Sequence, residues 1–196
     1  LYHFHFYLST IFHSALDIRQ IVWYNVEYIN VSSRKGHFMA LLVMDRKASD
    51  NKYLHRDFHV SCDIGIGYVG ERYGDEGVRE YLNQYTDNFL SPLAEAVRRE
   101  GLEPLARYFR ELYETEEASG QLELTRKPGA LHVRVSACPA VAYMKSTGHQ
   151  PSKWYRETTA TLYARLAKNA GLRFTLESYD EATGAAAFRF EQEANA

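Results

Sequence analysis

The sequence predicts an α+β domain, with N-terminal helices followed by a ββαββ antiparallel four-stranded sheet. Two observations carry this. From Asp50 to about Gly120, apolar residues recur at helical spacing and the segments are punctuated by helix caps. From Gln121 onward, two stretches instead alternate apolar and polar residues across short turns, with a further helical stretch between them. Helices first and hairpins second argue for helices packed on one antiparallel sheet. A chain of 196 residues suits one such domain with a real core.

Residues 1–38 differ from the rest. They contain no Met, no Pro and one Gly, yet hold nine aromatic residues and four of the eight His. They lack the basic start, apolar middle and small-residue cleavage site of a signal peptide. "RKGHFM" back-translates as AGG-AAA-GGA-CAT-TTT-ATG, a ribosome-binding site ahead of a start codon. The expectation is that 1–38 are translated upstream sequence and that 39–196 form the domain, starting at Met39 or Met44. The alternative is a genuine N-terminal hairpin or helix.

The first helix begins after Asp50 and Asn51, with Leu54, Phe58, Cys62 (or Ser61), Gly65 and Val69 as its apolar face. Gly65, Gly67 and Gly70 each weaken it by about 1 kcal/mol against Ala. Glycines there suggest close approach by another backbone or by a ligand, and Gly74 ends the segment. A second helix, capped by Asp75, carries Val78, Tyr81, Leu82, Tyr85 and Phe89. The third places Ser91 at the N-cap, Pro92 at N1 and Gly101 beyond its end. A fourth opens on Pro104, with Leu105, Tyr108, Phe109 and Leu112 inward. "QLELTR", the turn "KPGA" and "LHVRVSA" then read as a hairpin with Leu131, Val133 and Val135 on one face. A late helix is capped by Ser152 and closed by Gly171. "LRFTLESYD", "EATG" and "AAAFRFEQ" make the second hairpin.

Composition excludes several classes. A net charge of −2 without a dense Lys/Arg stripe gives no reason to expect nucleic acid. No apolar run approaches the roughly 18 residues that span a bilayer. Cys62 and Cys138 make no disulfide scaffold and fit a reducing compartment, or at most one bond. The expectation is a soluble, cytoplasmic domain whose partner is a small molecule. The sequence assigns no oligomeric state.

Two constellations carry possible chemistry. His55, His59 and Cys62 stand at i, i+4 and i+7, so all three can share a helix face and offer zinc or iron ligands. Alternatively the imidazoles are partly solvated and Cys62 fills core beside Phe58. The second lies in "SACPAVAYMKSTGHQPSKWYRETT". If Pro139 opens a helix, Cys138 sits at its N-terminus, where the dipole and free N–H groups favour thiolate. His149 is then a candidate base and Glu157 its orienter or acid. The alternative is a capping or core sulfur, with His149 in a loop and Glu157 simply suiting the helix dipole. Tyr108, Phe109, Tyr113, Tyr143, Trp154 and Tyr155 line a small-molecule pocket or form plain core.

"KYLHRDFH", "YVGERYGDEGVREYLNQYT", "CPAVAYMKSTG", "YRETT" and "YDEATGAAAFRF" together resemble the bacterial L-2-amino-thiazoline-4-carboxylic acid hydrolase-like family, from about Lys52 to Gln192. The resemblance implies a hydrolase that opens a cyclic amidine by attack on a C=N carbon, and an architecture related to small-ligand domains of the four-vinyl-reductase type. Cys138 carries over. "RETT" stands where the family pattern has a further cysteine, and "TGAAAFRF" where it has a Gly-Asp…Cys signature. With Cys138 as nucleophile, the residues offer His149 or His59 as proton carrier and Arg134 or Arg156 as carboxylate anchor beside Tyr155, with no cofactor expected. A non-catalytic ligand-binding or sensing domain of the same fold is the alternative, and a zinc or iron protein a third.

Overall fold

The computed structural model describes residues 52–192, with side chains from Phe58 onward. The expected start at Met39 or Met44 and the reading of 1–38 lie outside the described residues. The elements are α1 (Lys52–Phe89), α2 (Ser91–Glu100), α3 (Glu103–Thr115), a 3-10 turn (Ser119–Gln121), β1 (Leu122–Lys127), β2 (Ala130–Val135), α4 (Pro139–Ser146), α5 (Glu157–Ala170), β3 (Leu172–Tyr179) and β4 (Ala186–Gln192). The α+β class is as expected, with the short α4 added between the two hairpins.

α1 is two helical segments joined at Gly74, whose φ of 70° and ψ of −168° interrupt the helix where the sequence places an end. Its buried face is the expected one in part: Val78 and Leu82 are buried and Cys62, Val69 and Tyr81 pack against them, but Phe58 is 38 % exposed while Asp63 and Ile66 are buried. The seam is turned because the glycine side of α1 receives the chain between α4 and α5. A Cβ on Gly70 would lie 2.4 Å from the Trp154 ring, and one on Gly67 would lie 3.6 Å from Ser152 Cβ. Gly70 thus marks close approach by an indole, not by a backbone, whereas Gly65 has open space around its would-be Cβ.

α2 and α3 carry proline in their first turns, where its missing N–H costs nothing. The residues at their N-caps are Leu90 and Leu102, one position before the Ser91 cap expected for α2. α3 sends Leu105, Phe109 and Tyr113 into the core.

The sheet has the order β1-β2-β4-β3, all neighbours antiparallel. Leu131, Val133 and Val135 face the helices with Phe188 and Phe190. Phe109 stands 5.3 Å from Tyr163 and 5.7 Å from Phe188, centroid to centroid, so helix and sheet meet through an aromatic cluster. His132 and Arg134 alternate onto the opposite face, as a half-buried strand requires.

α5 starts at Glu157, and Ser152 is not its cap. Ser152 is instead drawn to Asp63 on α1, leaving Lys153–Arg156 as turns. Gly171, left-handed at φ 70° and ψ 34°, closes α5 as the sequence predicts.

Candidate functional site

Cys138 occupies the N-cap of α4 because Pro139 can neither extend the β2 ladder nor lack a place in a first helical turn. Its backbone is pinned on both sides: Cys138 N–H donates to Thr183 O at 2.9 Å, and its carbonyl accepts from Ala142 N–H at 3.0 Å. The side chain packs with Val60 against Ala140, Val141, Met144 and Tyr155. Burial raises the Cys138 thiol above its usual range. The N–H groups of Val141 and Ala140 pull it partly back without closing a capping hydrogen bond, and the charge on Glu116 raises it again. The helix terminus therefore lowers the cost of a thiolate but does not overcome desolvation. At rest Cys138 is a thiol.

Around it stand phenols. Burial, more than any neighbouring charge, lifts Tyr113, Tyr155, Tyr163 and Tyr179, and each also feels Cys138. A dry, phenol-lined surround of this kind strengthens any charge formed within it.

Two acid–imidazole pairs lie one helical turn apart along α1. His59 Nε2 is 2.8 Å from Glu116 Oε1, with the Glu116 side chain only 4 % exposed. Glu116 is the C-cap of α3, where a carboxylate opposes the helix dipole. The next residue, Glu117, is left-handed at φ 55°, a backbone strain that a non-glycine residue adopts only under constraint. Both costs are borne at the point that presents Glu116 to His59. In the second pair, Asp63 is 1 % exposed and its Oδ2 lies 2.7 Å from His149 Nε2. Ser152 N–H and Oγ–H also donate to Asp63, at 2.9 and 2.8 Å.

The predicted residues separate accordingly. His149 follows the C-terminus of α4 and Cys138 precedes its start, so roughly 12 Å of helix lies between them. His149 is turned onto Asp63, not onto Cys138. Glu157 accepts from Thr161 Oγ within its own helix and is not the partner of His149. Of the two candidate proton carriers, His59 is the one whose carboxylate partner is felt by Cys138.

Tyr155 and Arg156 line a cleft of about 130 Å³ with Val141, Lys145, Tyr179 and Glu181. Arg134 lies elsewhere, in a depression of about 270 Å³ on the open sheet face, beside His132, Glu123 and Glu177. The depression is larger but lies on the face turned away from the helices, whereas the cleft shares Val141 and Tyr155 with the packing of Cys138.

Of the metal trio, His59 is engaged by Glu116, and Cys62 is a thiol that burial, with help from Asp63, raises from 9.0 to about 11. The side chain of His55 lies outside the described residues. Among the described residues, no three His, Cys, Asp or Glu side chains sit where they could hold a metal ion together. Cys62 and Cys138 are both free thiols. Among the described residues no helix is long and apolar enough to cross a membrane.

Sequence reasoning passed over Asp63, Glu116 and Ser152. The legible signal for Asp63 was a carboxylate four residues after His59, inside the stretch that supplies the buried face. No family model, curated protein or solved structure matches the chain.

Proposed function

We propose that this chain hydrolyses a carbon–nitrogen bond in a small cyclic amidine or amide that carries a carboxylate, as its resemblance to L-2-amino-thiazoline-4-carboxylic acid hydrolases implies. The observation that carries the reading is Cys138 at a helix N-terminus, in the field of a buried Glu116 that is paired with His59. Because burial keeps Cys138 protonated, attack requires that its proton leave as the new bond forms. Sγ bonds to the amidine or amide carbon while His59 takes the thiol proton. As the ring C–N bond breaks, its electron pair stays on nitrogen, which receives that proton from His59. Water then adds to the carbon bound to Cys138, the C–S bond breaks with its electron pair on sulfur, and a proton from that water reaches Sγ through His59, so that the hydrolysed product leaves and the thiol is restored. Glu116 holds the imidazole in place through its hydrogen bond to Nε2. Arg156 anchors the carboxylate, with Tyr155 and Tyr179 lining the cleft.

One observation favours a second reading, a ligand-binding domain without turnover. Desolvation keeps Cys138 a thiol, and a buried structural sulfur has that same property. Turnover of wild type and Cys138→Ser on a panel of carboxylated cyclic amidines and small amides separates the two. The hydrolase reading expects Cys138→Ser to melt within a few degrees of wild type while losing turnover by roughly a thousandfold or more. If wild type turns over nothing on the panel and one compound raises the melting temperature of both proteins alike, the binding reading holds.

A further inference from the structure

The chain between α4 and α5, residues 149–156, runs as a strap across α1 and is held there at successive points. Asp63 binds its start: His149 Nε2 at 2.7 Å, Ser152 N–H at 2.9 Å and Ser152 Oγ–H at 2.8 Å all converge on one carboxylate that is 1 % exposed. Trp154 binds further along. Its ring fills the space over Gly70, and its Nε1–H donates to Asp75 Oδ1 at 2.7 Å, on the far side of the Gly74 break. The next two residues are Tyr155, 9 % exposed and packed on the helix that Cys138 caps, and Arg156 in the cleft. A buried carboxylate with three donors is a costly feature to keep for packing alone, since an apolar residue of similar size would be cheaper. What this one achieves is to fix where the strap delivers Tyr155 and Arg156.

We infer that Asp63 is a positioning residue: its buried carboxylate latches the 149–156 strap onto α1 and so sets Tyr155 over Cys138 and Arg156 in the cleft. The inference rests on the reading of that cleft as the ligand site. Asp63 touches neither Cys138 nor Arg156 and acts through Ser152 and His149. Releasing the latch frees the strap locally, because the sheet and its aromatic cluster are built from other residues.

The test is the rate at which iodoacetamide alkylates Cys138 in the folded protein, read by peptide mass, beside hydrogen exchange of the β2 and β4 amides. It needs no substrate, so failure of the hydrolase reading leaves it interpretable. Asp63→Ala is expected to raise the Cys138 rate by about tenfold or more while the β2 and β4 amides stay protected, as local opening requires. Asp63→Asn, which can still accept from Ser152 N–H, is expected to fall between Asp63→Ala and wild type. Arg165→Ala removes the ion pair to Asp87 on the other half of α1 and controls for loss of stability as such. It is expected to leave the Cys138 rate within about twofold of wild type. Should Asp63→Ala fail to fold, Ser152→Ala and Gly70→Ala loosen the same strap from its two anchor points and are expected to accelerate alkylation. An unchanged Cys138 rate in the folded strap variants, or one that rises only together with exchange of the sheet amides, overturns the inference.

Discussion

Gly184→Ala is expected to lower the unfolding free energy by about 3 kcal/mol or more, the sum of left-handed strain and core overpacking. Gly184 has φ 66°, and a Cβ there would lie 2.5 Å from Cys138 Cβ and 2.9 Å from Val141 Cγ2. Neither neighbour can yield easily. Cys138 Cβ is attached directly to a backbone fixed at both ends, and Val141 is 2 % exposed. The turn cannot retreat either, because Thr183 O holds Cys138 N–H at 2.9 Å. Gly171→Ala is the reference, since Gly171 has φ 70° but open space around its would-be Cβ. That substitution is expected to cost only about 1 kcal/mol, the conformational part alone. Urea unfolding midpoints measure both. Equal losses would mean that the turn does not close on Cys138.

Alkaline pH is expected to destabilise wild type more than Cys62→Ala, by roughly 2–3 kcal/mol across the window from about pH 9 to about pH 11. Burial, then the charge of Asp63, raises the folded thiol from 9.0 to about 11. Below pH 9 both states hold the proton and the contribution is fully present. Above it the unfolded chain ionises while the folded chain keeps its proton, so stability falls as pH rises, until the folded thiol also ionises. Tyr81, raised to about 12 by burial and then by the charge of Cys62, adds to the decline, so the difference between the two slopes reports Cys62 together with its coupling to Tyr81. Parallel slopes would contradict the buried placement of this thiol. Denaturant unfolding at stepped pH supplies the slopes.

The elements were legible because their signals are local. Proline and glycine punctuation located α2, α3 and the end of α5, and alternation located β2 and β4, since both depend only on neighbours in sequence. The face of α1 was legible only in part. Val78 and Leu82 are buried as their spacing implies, whereas Phe58 is exposed and Asp63 is buried, because Ser152 and His149 arrive from about 90 residues away to satisfy its carboxylate. The same donors explain the misplaced cap, since Ser152 engages Asp63 and α5 begins only at Glu157.

The candidate site shows the same division. Placing Cys138 at a helix N-terminus followed from Cys-Pro after a strand, a local pattern. The acid–base partner proposed for it follows only as one of two candidates, His149 or His59, because spacing in sequence gives no distance between them and Cys138. The fold separates Cys138 from His149 by the length of α4 and spends Glu157 on Thr161. Glu116, whose charge raises the Cys138 thiol, lies at the end of α3 and pairs with His59 on α1, and nothing in their spacing announces that they meet. Arg134 and Arg156 were equal candidates in sequence, and only strand alternation against the helices distinguishes them.

The central claim is that Cys138 forms a covalent bond with a substrate carbon while His59 carries its proton. The direct measurement is the mass of the Cys138 peptide from protein quenched with acid during turnover of the fastest compound on the panel. Wild type is expected to carry an adduct on Cys138, His59→Ala to form the same adduct more slowly, and Cys138→Ser, which has also lost turnover, to form none. Wild-type turnover without an adduct, sustained equally by Cys138→Ser, would contradict the claim.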